Sequence, residues 1–329
     1  MPATTETTDP TNLARAPGKL ILFGEYAVLG GVEAMVMAID RFATAHQSSA
    51  PRPPGPFLRR AEKLIGDALP RLDNDHSVRV DTSEFRAHGR KLGLGSSAAA
   101  TVAYVGARCA GQLSRAQIHA IAHRAHGDAS AQAGARGSGV DIAASIWGGI
   151  IGAKPQTEDR AVAVRPLNLP DGLTWCAVDC GQSADTRVLI AQIGEFSSRS
   201  PALFTAAMTA IEDAAILALH AASNNDVPTM IAAVEQGQAA INRLAIDANA
   251  PLIVDTMTTI SELASASQGA AKSTGAAGGD TAWAVFPNPA HATEFRDRLH
   301  ANGIKVVSLN VEPDGLSLTK GFKENGENK

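Results

Sequence analysis

Cysteine is almost absent from this chain. Its 329 residues hold three, Cys109, Cys176 and Cys180, each among apolar neighbours. An odd number at that spacing suits neither a disulfide framework nor a zinc site, so buried free thiols in a reducing compartment are expected. There is no excess of positive charge either. The 29 basic and 33 acidic side chains leave a formal charge of −4. That removes any global pull toward nucleic acid and leaves phosphate recognition to local basic residues. No uninterrupted apolar run reaches membrane-spanning length. Residues 1–12 lack the basic-then-apolar pattern of a signal peptide. No internal repeat of fixed period is visible. These absences predict a soluble, cytoplasmic protein with no nucleic-acid or membrane partner, leaving monomer and homodimer both open.

Composition is otherwise ordinary for a globular protein, 45% hydrophobic and 19% charged, with length enough for about two domains. The stretch Arg90–Thr101, R-K-L-G-L-G-S-S-A-A-A-T, stands out. Gly93 and Gly95 permit a tight turn and close backbone approach to a ligand. Ser96 or Ser97 is expected to cap the helix that the following alanine run favours. A helix start offers unpartnered N–H groups and a positive dipole end, which together suit phosphate. An ordinary glycine turn with a serine cap would read the same way.

Apolar patterning predicts short strands at Leu20–Phe23, Tyr26–Leu29 and Ala34–Ile39, turned by Gly30 and Gly31. A proline-rich loop, Pro51–Pro56, precedes a helix over Phe57–Leu72, and Val78–Val80 reads as a strand. Helices follow at Ser97–Cys109, Ser114–Ala125 with Ser114 as cap, and Val140–Ile146. Strands follow at Ile150–Ala153, Ala161–Val164 and Trp175–Cys180. The second half is helical from Thr186, then over Pro201–Ala222, Val227–Leu244 and Pro251–Ala266. Lys272–Asp280 breaks the pattern before a strand at Thr281–Phe286, a helix at Pro289–Ala301 and a strand at Ile304–Leu309. The tryptophans Trp147, Trp175 and Trp283 read as core. The expected division is a disordered 1–12, an N-terminal domain 13–182, a C-terminal domain 183–319 and a polar tail 320–329.

Three glycine motifs, Ala16–Leu29, Leu92–Ala100 and Thr274–Thr281, stand in order along the chain. Together they resemble the superfamily of galactokinase, homoserine kinase, mevalonate kinase and phosphomevalonate kinase, the GHMP kinases, over nearly the whole length. The resemblance implies an α+β fold. A ribosomal-protein-S5-like N-terminal α/β domain and a helix-rich C-terminal α/β domain would hold ATP in the cleft between them. Within the superfamily the pattern looks more like the phosphomevalonate kinases than the mevalonate kinases. Glu25 is followed by Tyr26 where mevalonate kinases usually have histidine, and the middle motif is G-S-G-V-D (Gly137–Asp141) rather than P-S-G-V-D. The third motif, A-K-S-T-G-A-A-G-G-D (Ala271–Asp280), ends in the telling Asp280. Ala277, where glycine is more common, and Asp185, where serine is common, depart from the family.

The resemblance implies ATP and Mg²⁺ as cofactors and a phosphorylated small molecule as acceptor. Phosphoryl transfer needs positioning and charge neutralisation above all. Lys19 would be the cation at the transferring phosphate, against the bland reading of a solvated lysine. Asp141 would be the acceptor's base or an orienting group paired with Lys19, against that of a helix-start acid. Gly93, Leu94, Gly95, Ser96, Ser97 and Ala98 would cradle the ATP phosphates, with Ser97 reaching the metal. Mevalonate kinases hold the metal with a glutamate on a following helix. Here His123 and His126 stand at that place and read as packing or surface residues. Tyr26, Lys91, Ser138, Gly139, Ser183, Thr186, Lys272, Gly278, Gly279 and Asp280 are the expected acceptor contacts. Gly278 and Gly279 would offer backbone N–H groups, and Arg136 is a further candidate cation. Loss of Lys19, the serine pair or Asp141 would have marked a non-catalytic ligand sensor of the same fold; all are present.

Overall fold

The computed structural model describes residues 12–48, 55–71, 77–87, 89–132, 137–156 and 162–320. The expected disorder of residues 1–11, the loop residues 51–54, Arg136 and the tail from 321 lie outside them.

The chain opens on two long antiparallel strands, β1 (Asn12–Phe23) and β2 (Ala34–Ser48), in register from Asn12–His46 to Phe23–Met35. The expected strands at Leu20–Phe23 and Ala34–Ile39 are only their inner ends. β1 runs back through Pro17 because the pairing shifts between Pro17 and Gly18, where a missing N–H costs no ladder bond. Tyr26–Gly30 is a single 3-10 turn and not the expected strand. Gly24 at φ 88° and Tyr26 at φ 28° coil the chain before a strand could begin.

Helices α2 (Ser96–Cys109) and α4 (Val140–Trp147) pack on this pair, with α1 (Pro56–Ala68) and α3 (Arg115–Gln132) packed on the helices in turn. α2 is the inner helix. Ala98, Ala99, Val102, Ala103 and Val105 are buried, and small side chains let it lie close to β1 and β2. Ser114 precedes α3 in the expected way. Its hydroxyl accepts from Gln117 N–H while Gln117 Oε1 accepts from Ser114 N–H, at 3.3 and 3.0 Å, a capping box. Between α1 and α2 run β3 (Ser77–Asp81) and the two-residue strands β4 (Arg86–Ala87) and β5 (Arg90–Lys91). After α4, β6 (Ile150–Pro155) and β7 (Val162–Leu167) complete the edge of the first sheet.

The second sheet is built from β8 (Thr174–Asp179), β9 (Ala270–Ser273), β10 (Thr281–Phe286) and β11 (Val306–Val307), in the order β11-β8-β10-β9. With it go α5 (Thr186–Arg199), α6 (Pro201–Ser223), α7 (Val227–Ala248), α8 (Asp255–Ala266) and α9 (Pro289–Ala301). β8 pairs with β10 although it lies before residue 183. β12 (Ser317–Leu318) returns to pair with β1, giving the first sheet the order β12-β1-β2-β6-β7 with β3 on β2. β9 runs into the stretch expected to be irregular, because Lys272 pairs in register with Trp283. α8 starts at Asp255, four residues later than expected. α6 is long and apolar enough to cross a membrane by length and composition, and it packs along α7.

The three cysteines are free and buried, and burial pushes each thiol up to about 12. Trp283 is fully buried, edge-on to Phe23. Trp147 is not core: it is 37% exposed at the end of α4, where its Nε1–H donates to His119 Nδ1 at 3.3 Å. That bond needs an unprotonated Nδ1. Burial, then the neighbouring His123, depress the His119 pKa from 6.5 to about 4. A histidine depressed in the folded state takes up its proton in the unfolded chain first, so stability falls as pH drops below 6.5 and levels off near 4. His119→Gln should flatten urea midpoints across that window relative to the parent. An equally steep pH dependence would refute the assignment.

Candidate active site

The loop before α2 has the predicted turn but not the predicted cap. Gly93 and Gly95 sit at φ 72° and 81°, and Gly95 itself is the N-cap, with no side-chain bond. Ser96 and Ser97 are the first helical residues. The first intrahelical bond runs from Ala99 N to Gly95 O at 3.1 Å, so the amides of Ser96, Ser97 and Ala98 precede the helix's own bonding. They form an anion-receptive end. Leu94 and Ala98 point into the core, so only their backbones are available. Leu94 O accepts from Lys19 N at 2.9 Å, tying the loop to β1.

Lys19 is 8% exposed. Its stem lies against Gly95, where an added Cβ would come within 2.9 Å of Lys19 Cγ. Its Nζ donates to Gly93 O at 3.2 Å. Burial lowers its pKa, while Asp141 and then Asp280 raise it. A Cβ on Gly275 would lie 3.9 Å from Nζ, so the third motif faces this ammonium through Gly275. Sequence reasoning passed over Gly275 in favour of the glycines after it.

Asp141 sits in the first turn of α4, behind Gly139 at φ 78°. It is half-buried and accepts from Ile142 N at 2.9 Å. Ser138 is half-buried beside it. The ring of His123 fills the space where a Gly139 side chain would go. His126 Nε2 is 3.2 Å from Ser97 Oγ, and its ring stacks on Phe57 at 4.7 Å. Two histidines one turn apart on α3 therefore back both glycine motifs. Their i, i+3 spacing was the available signal.

Several expected acceptor contacts are corrected. Lys272 is fully buried, donating to Glu25 and, at 2.8 Å, to Ser273 O, with Nζ 5.4 Å from the Phe23 ring centroid. It bonds the first motif to the third. Glu25 is 3% exposed; burial raises its pKa and Lys272 lowers it. Gly278 N–H is already donated to Leu252 O at 2.7 Å, so it is not an anion donor. Gly279 packs on Gln182. Tyr26 Oη donates to Ala276 O at 2.6 Å, a second weld between first and third motifs.

The segment around residue 183 is held in the same way. Ser183 Oγ donates to Lys91 O at 3.0 Å, leaving the exposed Lys91 side chain to solvent. Thr186 opens α5 behind Asp185, whose carboxylate accepts from Arg187 N and Val188 N. Asp280, at φ 55°, accepts from Ala184 N at 3.2 Å and packs on Gly93. Arg90 pairs with the buried Asp179 beside it. Neither residue was singled out from the sequence.

Lys19, Gly93, Gly95, Gly275, Asp141 and Asp280 thus converge from the three glycine motifs and from the G-S-G-V-D motif. Among the described residues no group of three or more His, Cys, Asp or Glu could hold a metal. Mg²⁺ keeps several waters and commonly takes one or two protein ligands plus substrate phosphates. The Ser97 hydroxyl suits a nucleotide-borne magnesium of that kind, not a resident metal.

Fold and site together define a class. Residues 65–149 match the GHMP kinases N terminal domain, and the chain has the two-domain fold of the GHMP kinases. It is 28% identical to the phosphomevalonate kinase of Streptomyces sp., over 93% of this chain and 98% of that one. It is 29% identical to the mevalonate kinase of Methanothermobacter thermautotrophicus, over 83% and 90%. The Streptococcus pneumoniae phosphomevalonate kinase in complex with phosphomevalonate and AMPPNP superposes with a TM-score of 0.76 at 18% identity, covering 91% and 99%.

Proposed function

We propose that this protein transfers the γ-phosphoryl group of ATP to the phosphate of (R)-5-phosphomevalonate, giving (R)-5-diphosphomevalonate in the mevalonate route to isoprenoids. The observation that carries this is the buried Lys19 ammonium, held on Gly93 O at the open end of α2 with Asp141 and Asp280 acting on its charge. An acceptor phosphate oxygen attacks the γ-phosphorus, the bond to the β-phosphate oxygen breaks, and ADP leaves. The amides of Ser96–Ala98 and the α2 dipole bind the nucleotide phosphates. Lys19 offsets charge on the transferring group. Mg²⁺, held in part by Ser97, would neutralise the ATP phosphates. Asp141 orients Lys19 and the acceptor, which needs little deprotonation because the second pKa of a phosphate monoester is about 6.

The Streptomyces relative and the Tyr26 and Asp280 signatures support the phosphorylated acceptor. The archaeal mevalonate kinase of similar identity makes mevalonate the acceptor to test against it. ADP release measured with each should show turnover on phosphomevalonate. Turnover on mevalonate alone would overturn the choice of acceptor. No turnover on either, with no thermal stabilisation by Mg-ATP, would overturn the kinase reading and leave a binding protein of the same fold.

A further inference from the structure

Asp280 is the one charged residue of the third motif's glycine run, and its backbone is in the left-handed region at φ 55°. A non-glycine residue there is strained and persists where the surroundings over-determine it. Three elements meet on it. A Cβ on Gly93 would come within 2.5 Å of Asp280 Oδ2, so the carboxyl lies flat on the phosphate-binding loop. Oδ1 accepts from Ala184 N at 3.2 Å, and Asp280 N donates to Gln182 O at 2.7 Å. On the other side of the same glycine, Gly93 O receives Lys19 Nζ. One residue of the loop therefore carries the ammonium on its carbonyl and the carboxylate on its Cα.

We propose that Asp280 is a positioning residue for phosphoryl transfer, its carboxylate keeping the Lys19 ammonium charged and seated on Gly93. The proposal rests on the kinase reading above. The charged groups around the pair are few. Lys19 faces Asp141 from α4 and Asp280 from the third motif. Asp280 faces Lys19 from β1, Arg90 from β5, Asp179 from β8 and the Cys180 thiol just past β8. Burial works against charge on both members, lowering Lys19 and raising Asp280. Asp141 alone then has to hold a buried ammonium charged if Asp280 is neutralised, so the Lys19 pKa drops further.

Asp280→Asn isolates the charge. Asparagine tolerates the left-handed conformation, and its amide oxygen still accepts from Ala184 N. The alkaline limb of kcat against pH should move about one unit toward acid, the size expected for losing one near opposite charge. On that limb kcat at a given pH then falls about tenfold, with KM for ATP and the melting temperature unchanged. Asp280→Gly, which also relieves the backbone, should show the same limb shift. Independently of turnover, acetic anhydride labelling of Lys19, followed by mass spectrometry across pH, should titrate lower in both variants. An unmoved labelling curve overturns the proposal, as does an unmoved limb in an active enzyme. A shifted labelling curve with no turnover on either acceptor sinks the kinase reading and spares the Lys19–Asp280 coupling.

Discussion

Asp141→Asn should cut kcat on phosphomevalonate about a hundredfold, the lower end of the 10²–10⁴ range for a positioned acid–base group. The lower end is expected because a phosphate acceptor arrives largely deprotonated, so the lost work is orientation and charge at Lys19. With an alcohol acceptor the loss would sit at the upper end. The melting temperature should stay almost unchanged. Asp141 is half-buried, and its bond from Ile142 N is one an asparagine oxygen also accepts. The N-terminal position also favours the acid only modestly, by about 0.3–1 kcal/mol. Steady-state kinetics beside a thermal melt would separate the two effects. Near-normal turnover would remove Asp141 from the mechanism.

Lys272→Met should destabilise the fold by about 3–5 kcal/mol, the usual effect of removing one member of a buried ion pair. It leaves the Glu25 carboxylate 3% exposed with its partner gone, and Ser273 O without its donor. The double variant Glu25→Gln/Lys272→Met should recover much of the loss, since a packed neutral pair carries no uncompensated charge. Urea denaturation of the parent, the single and the double variant measures this as a cycle. A stable Lys272→Met with a selective rise in acceptor KM would return Lys272 to the ligand-contacting role read from the sequence. The same contact, with a second beside it, ties the first motif to the third. Lys272–Glu25 and Tyr26–Ala276 both cross between residues about 250 positions apart.

The misreading of Lys272 has a definite cause. Beside a glycine motif a lysine is expected to reach outward, and nothing local contradicts that. β9, however, is buried along its whole length, Ala270 to Ser273, so every side chain on it needs an internal partner. The partner is Glu25, 247 positions away along the chain, which only the tertiary fold brings beside it. Gly278 fails as an anion donor for a related reason. A glycine run announces freedom of φ, but not which amide is left over once Leu252 has taken one. His126 shows the reverse case, a residue set aside as packing that contacts Ser97.

The sequence by itself determined the number and order of the glycine turns, the helical second half and the buried thiols, whereas the pairing of Lys19 with Asp141 was implied by the family resemblance. Those are local matters: which φ a residue tolerates, which period its apolar neighbours keep, which side chains carry charge. Only the tertiary structure decided which of the charged residues stay within reach of a ligand. Lys19 lies against the loop before α2 because Gly93 and Gly95 leave room for it. Lys272 is withdrawn because a second carboxylate closes on it in a dry interior, where an ion pair excludes everything else.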